Sequence, residues 1–267
     1  MDDSFFNEIN DALNICEKDF IYNTLEIANS SKNSNSAYRF WFNDFRNNFL
    51  NREGDIYEFG VYRGASLLSI ALLAKRLGSK KHFWGFDTFS GFPQFSEEDK
   101  LTNFTKANGF SEEIIANANL LSRIKLSKNK NNDERLSETL SKIGKSGLFQ
   151  DTSYEDLLNK IDKLSLSNIT LIKGDFAETV NSHFLEKRRK VYSANIDCDL
   201  YKGYEICLPI IFENLVPNGY INLDEYYSLK YPGAKIATDK FLLKYKDAKL
   251  VKNQTPSNEF SRYYITK

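Results

Sequence analysis

Histidine and cysteine are scarce in this 267-residue chain. It has two histidines, His82 and His183, and three cysteines, Cys16, Cys198 and Cys207. No CxxC pair occurs, so a zinc site built from these residues is not expected, and the cysteines are too few and too scattered for a disulfide framework. Any metal here would be a hard cation held by oxygen. A charge excess is missing too. Lys plus Arg is 36 and Asp plus Glu is 36, which leaves none of the basic surplus that polyanion binding requires, so no nucleic-acid partner is expected. No stretch approaches the roughly 18 apolar residues of a membrane span. The start, MDDSFFNEIN, is acidic and lacks the basic region and apolar core of a signal peptide. The expectation is a cytoplasmic protein with no membrane partner. What remains is an ordinary globular mixture, 41% hydrophobic and 27% charged, long enough for one large α/β domain with attached helices or two small domains.

Residues 1–53 read as a helical cap or dimerisation region. Within them Tyr38, Trp41, Phe42, Phe45 and Phe49 recur at spacings of three and four, one stripe of a helix that serves core packing, a dimer face or a lid. The pattern then changes. DIYEF (55–59) reads as a strand, and ASLLSIALLAKRL as a helix stopped at Gly78. HFWGF (82–86), ITLIK (169–173), VYSANI (191–196) and YINL (220–223) read as four more strands. A helix carrying Leu208, Ile210, Ile211, Phe212 and Leu215 precedes the last of these, and Pro217 and Gly219 are expected to end it. Two late strands near 248–251 and 262–265 would close the sheet. Strands alternating with helices imply βαβ units and a mainly parallel sheet covered on both faces, expected to have seven strands. The segment 101–147, as in KLSKNKNNDERLSETLSK, interrupts this rhythm and reads as a solvated insertion or a lid over substrate.

In such sheets ligands sit beyond the carboxyl ends of the strands, so the residues after each strand carry the chemistry. The first strand runs into Glu58-Phe-Gly60-Val-Tyr-Arg-Gly64-Ala-Ser66. Gly60 allows a tight turn and Gly64 a close ligand approach, at a helix N-terminus that favours an anionic group. The spacing is not the Gly-x-Gly-x-x-Gly of dinucleotide enzymes, which counts against a nicotinamide-dependent oxidoreductase. The second strand delivers Asp87, which can accept hydrogen bonds from both ribose hydroxyls of a nucleoside. The third delivers Asp175, a neighbour for an adenine. The fourth and fifth deliver Asp197 and Asp199, then Asp224 and Glu225. Four clustered carboxylates repel one another, and a bound Mg²⁺ or Mn²⁺ would relieve that repulsion.

EFGVYRGAS, GFDTFSGFP, GDFAET, DCDLY and LDEYYSLKYPGAKIATDKF together resemble the macrocin O-methyltransferase (TylF/MycF-like) family. The resemblance runs from about residue 57 to 242, broken by the insertion. It implies a Rossmann-like class I methyltransferase fold over 54–267 and S-adenosylmethionine as cofactor. By that resemblance Glu58, Gly60, Gly64 and Ser66 would line the methionine end of the cofactor, Asp87 would hold the ribose and Asp175 would lie near the adenine. Phe59, Tyr62, Thr88, Ser90, Gly174 and Phe176 would be further cofactor-binding residues. Asp197, Asp224 and Glu225 would be the metal ligands, with Glu225 standing where the family usually has Asp. Asp199, Tyr201 and Tyr226 become candidates for substrate contact, and Tyr227 for the pocket border. A homodimer is implied by analogy.

The chemistry that follows is methylation of a hydroxyl on a sugar or glycosylated small molecule. The metal would stabilise the alkoxide, Asp197 would take the proton, and alignment of the reacting atoms would supply much of the rate. A phenolic or catechol acceptor is the alternative within methyl transfer, and a non-catalytic scaffold the alternative outside it.

Overall fold

The computed structural model describes residues 39–48, 52–100, 149–185, 189–226, 231–253 and 262–267. Most of the 1–53 region, and all of the insertion expected near 101–147, lie outside the described residues, as does Tyr227.

Strand β1 (Asp55–Phe59) is buried at every residue after the first. Ile56 packs into one core and Tyr57 and Phe59 into another, because successive side chains on a strand point to opposite faces. A strand apolar on both sides belongs at the centre of a covered parallel sheet. β1 is indeed central, paired in parallel with β2 (Phe83–Asp87) on one side and β4 (Val191–Ile196) on the other. β3 (Ile169–Lys173), β5 (Leu215–Leu223), β6 (Lys249–Lys252) and β7 (Tyr263–Thr266) complete seven strands in the order β3-β2-β1-β4-β5-β7-β6. β7 runs antiparallel to both neighbours. The order reverses between β1 and β4, the point where such sheets open a ligand crevice.

Helices cover both faces. α1 (Arg39–Asn48), α2 (Ala65–Arg76) and α3 (Tyr154–Lys163) close one core around Trp41, Leu67, Leu157 and Leu171. α4 (Phe176–Leu185), α5 (Tyr201–Asn214) and α6 (Pro232–Lys244) close the other around Val180, Leu208 and Phe241. Of the aromatic stripe, Trp41 and Phe45 are fully buried in the first core. Trp41 Nε1 donates to Ser193 Oγ on β4 at 2.9 Å, which fixes α1 to the sheet. Tyr38, Phe49 and the Phe42 side chain lie outside the described residues. Among the described residues no helix is long and apolar enough to cross a membrane.

One boundary differs from the sequence expectation. Leu215 starts β5 rather than ending α5, and Pro217 and Gly219 lie inside the strand. Val191 pairs with Leu215 and Ser193 with Tyr220, so residues 216–219 bulge opposite Tyr192. The bulge accommodates Pro217, which has no N–H to donate, and Asn218 at φ 62°. Strands β2, β6 and β7 each begin one residue later than the apolar runs suggested.

Candidate active site

The loop after β1 is shaped by how close β4 lies. Gly60 has φ +90°, and a Cβ there would stand 2.0 Å from the Asp197 carbonyl oxygen, so only glycine passes. Tyr62 is also left-handed, at φ 52°. Gly64, at φ +82°, occupies the N-cap of α2 and offers no side-chain cap. The first-turn N–H groups beside Ala65 and Ser66 therefore keep their capacity to bind an anionic group. Asp87, at the end of β2, ties this loop down. Its Oδ2 accepts from Val61 N and Tyr62 N, each at 2.8 Å, and its Oδ1 from Phe89 N at 2.7 Å.

Behind the loop runs a buried polar ladder. Glu58, Asn195 and Asn222 stand in register on β1, β4 and β5. Asn195 Nδ2 donates to Glu58 Oε1 at 3.0 Å, and Asn222 Nδ2 to Asn195 Oδ1 at 2.7 Å. Ser66 Oγ also donates to Glu58 Oε1. Burial raises the Glu58 carboxyl to about 8, Asp224 and Asp87 add to the rise, and the bonds from Ser66 and Asn195 oppose it. Its second oxygen, Oε2, is buried without a hydrogen-bond partner.

A cleft of about 920 Å³ opens beyond the strand ends. Gly60, Tyr62, Ser66, Asp87, Thr88, Asp175 and Phe176 line it, and so do Asp197, Asp199, Asp224 and Glu225. Strand ends far apart in sequence thus deliver the expected cofactor and acceptor residues to one cavity. Seven expected residues stand elsewhere. Glu58 lies behind Ser66, and the Phe59 ring packs 4.9 Å from that of Phe86. Gly64 caps α2, Gly174 turns at φ +148°, and Ser90 is exposed. Tyr201 donates to Glu205 at 2.6 Å, and Tyr226 to Asp239 at 2.8 Å.

The cleft also has walls that the sequence reading passed over. Phe92 meets Phe149 at 4.8 Å and Tyr231 at 5.7 Å, and Tyr62 meets Phe149 at 5.1 Å, all edge to face. Phe92 and Tyr231 lie within the GFDTFSGFP and LDEYYSLKYPGAKIATDKF motifs, whereas Phe149 carries no local signal. Burial, with Asp199, Glu225 and Asp197 nearby, pushes the Tyr231 hydroxyl well above its usual range, so it stays a neutral donor. Asp99 joins the wall as a support. Its Oδ1 accepts from Tyr201 N at 2.8 Å at the start of α5, and its Oδ2 from Ser96 N at 3.0 Å.

No family model matches the chain, and no curated protein does. Solved structures do. CalS11, a calicheamicin methyltransferase, is 20% identical with a TM-score of 0.59, over 98% of this chain and 91% of that one. A second, apo structure, of CalS11 as a TDP-rhamnose 3'-O-methyltransferase, gives 0.50 at 19% identity, over 98% and 92%. The O-methyltransferase NovP is 15% identical with a TM-score of 0.61 over 98% of each chain. An O-methyltransferase from Bacillus cereus in complex with SAH is 12% identical with a TM-score of 0.50, over 99% and 90%. The chain has the Rossmann-like class I methyltransferase fold.

On this fold the cleft can be tested against the two groups the sequence suggested. The residues suit S-adenosylmethionine. A glycine turn and an uncapped helix N-terminus face a cavity that also holds Asp87 and Asp175, acceptors suited to ribose hydroxyls and an adenine amine. Asp87 Oδ1 and Asp175 Oδ1 each take one backbone N–H and retain a further lone pair, whereas Asp87 Oδ2 already takes two. A divalent metal fits less well. Among the described residues no group of three His, Cys, Asp or Glu is placed to hold one. Asp224 Oδ1 is engaged by the Arg262 guanidinium, which also donates to the Asp224 carbonyl at 2.5 Å. The expected set of Asp197, Asp224 and Glu225 shares the cleft but does not assemble as a Mg²⁺ or Mn²⁺ site.

Proposed function

We propose that this chain is an S-adenosylmethionine-dependent O-methyltransferase acting on a hydroxyl of a sugar or glycosylated small molecule, as the TylF-like resemblance implies. The observation that carries the reading is one cleft with two chemically distinct ends. Gly60, Ser66, Asp87 and Asp175 form a nucleoside-and-carboxylate end, and Asp197, Asp199 and Glu225 form an acidic end.

When bound, the cofactor supplies an electrophilic methyl on a sulfonium. The chain's residues do the rest. Asp87 and Asp175 orient the nucleoside, and the N-terminus of α2 receives the carboxylate. Asp197 accepts the proton of the acceptor hydroxyl. Tyr231, held neutral, donates a hydrogen bond that orients the acceptor. Phe92, Phe149 and Tyr231 give it an apolar wall and help exclude water. The likeness to CalS11, described as a TDP-rhamnose 3'-O-methyltransferase, supports a sugar-bearing acceptor. The same aromatic wall favours a second reading, a phenolic acceptor. A homodimer accompanies the proposal by analogy with the resembled family.

The test is calorimetric titration of S-adenosylhomocysteine into the protein, followed by transfer of radiolabelled methyl to a panel of sugar nucleotides, glycosides and phenols. Absence of binding sinks the reading. Binding with turnover on phenols alone replaces the sugar acceptor by the phenolic one.

A further inference from the structure

The acidic end of the cleft poses an electrostatic problem. Asp199, Asp224 and Glu225 are exposed by only 7%, 7% and 8%, and Asp197 lines the same wall. Like charges in a poorly hydrated wall repel unless a cation joins them. The described residues place a cation there. Arg262 bonds Asp224 through both its carboxylate and its carbonyl oxygen, and the two side chains are 11% and 9% exposed.

We propose that Arg262 is a built-in cation that takes the place of a divalent metal at the acidic end of the cleft. Its position is set by the backbone. Leu223 on β5 pairs with Tyr263 on antiparallel β7, so the residue after Leu223 and the residue before Tyr263, Asp224 and Arg262, fall opposite one another. Asn253 N donates to the Arg262 carbonyl at 2.8 Å and holds that backbone from the β6 side. The guanidinium is always charged, and its Nη1 donates to both the carboxylate and the carbonyl oxygen of Asp224. Mg²⁺ is held through one or two carboxylates, with waters completing an octahedron at about 2.0–2.1 Å, and Arg262 already engages one of the expected carboxylates.

The consequence for catalysis rests on the methyltransferase reading. Without a metal to acidify the acceptor hydroxyl, the proton goes directly to a carboxylate as the oxygen–methyl bond forms and the sulfur–methyl bond breaks. Arg262 lines the cleft and engages Asp224, and its role there is positioning and charge balance.

The test uses Mn²⁺ alone, followed by electron paramagnetic resonance of the free ion, on the full chain and on Arg262→Ala and Arg262→Lys. Wild type is expected to leave millimolar Mn²⁺ free. Arg262→Ala is expected to gain one site of micromolar affinity, lost again on adding Asp224→Asn, while Arg262→Lys stays without one. Stoichiometric micromolar binding by wild type overturns the proposal, as does a folded Arg262→Ala that gains no site. If Arg262→Ala does not fold, Arg262→Gln takes its place, and the wild-type titration still decides. Titrating S-adenosylhomocysteine into the same samples separates the two ideas. Its failure to bind removes the methyltransferase reading and leaves the Mn²⁺ result standing. Once an acceptor is known, turnover is expected to be unchanged by a chelator, and chelator-abolished turnover of wild type overturns the proposal.

Discussion

Asn195 donates to the buried Glu58 carboxyl at 3.0 Å across the β1–β4 boundary. Burial raises that carboxyl to about 8 in the folded chain, against about 4.3 in an unfolded one. Between these values the folded state keeps a proton that the unfolded state has released. The Glu58 contribution to stability is therefore fully present below the unfolded value and is lost as pH rises through the folded one. The slope is at most about 1.4 kcal/mol per pH unit. Glu58→Gln imitates the protonated form, so the difference between wild type and variant in denaturant unfolding should vary with that slope between pH 5 and pH 8. A constant difference would show Glu58 to be ionised in the fold.

Gly60 and Gly78 both have positive φ but different surroundings. A Cβ on Gly60 meets the Asp197 carbonyl at 2.0 Å, whereas one on Gly78 meets nothing within 4 Å. Gly78→Ala should lose only the backbone penalty, about 1–2 kcal/mol. Gly60→Ala should lose more and should also abolish binding of S-adenosylhomocysteine. Thermal unfolding and calorimetry check both, and equal losses would refute the close approach of β1 and β4.

Asp99 reaches across 102 positions of sequence to cap α5 at Tyr201 N. Asp99→Ala should destabilise by about 1–3 kcal/mol, since it removes the cap and leaves a buried N–H unpaired. Asp99→Asn, which keeps an acceptor, should lose less.

Asp87 receives three backbone N–H groups. In Asp87→Asn one of its oxygens becomes an NH₂ facing a donor. The affinity for S-adenosylhomocysteine should fall about tenfold or more, which is about 1.4 kcal/mol. An unchanged dissociation constant would remove Asp87 from the nucleoside end.

Tyr231→Phe removes a neutral donor next to the acidic end. It should raise KM for the acceptor and leave the dissociation constant of S-adenosylhomocysteine unchanged. A weaker S-adenosylhomocysteine complex would move Tyr231 to the cofactor end.

The layered sheet was legible because its signals are local. β1, β3 and β4 fall on the apolar runs, and the acids Glu58, Asp175 and Asp197 lie within two residues of their ends. The bulge in β5 was not legible. Pro217 and Gly219 look like helix punctuation, and only the pairing of Val191 with Leu215 and Ser193 with Tyr220 makes them part of a strand. Glu58 sat in a recognisable motif, yet its place behind Ser66 rather than on the cleft wall follows from the Asn195 and Asn222 ladder. The aromatic wall of Phe92, Phe149 and Tyr231 joins three segments with no shared period.

By itself the sequence determined an α/β chain of alternating strands and helices, with glycines and acids at the strand ends where a ligand would sit. Hydrophobic alternation and residue-by-residue backbone preference act within a few neighbours, so they can be read in order. The tertiary structure decided which charges meet. Arg262 lies 38 positions from Asp224, and nothing in either neighbourhood announces the pair. The antiparallel register of β7 against β5 brings them together, and electrostatic energy depends on distance in space rather than along the chain.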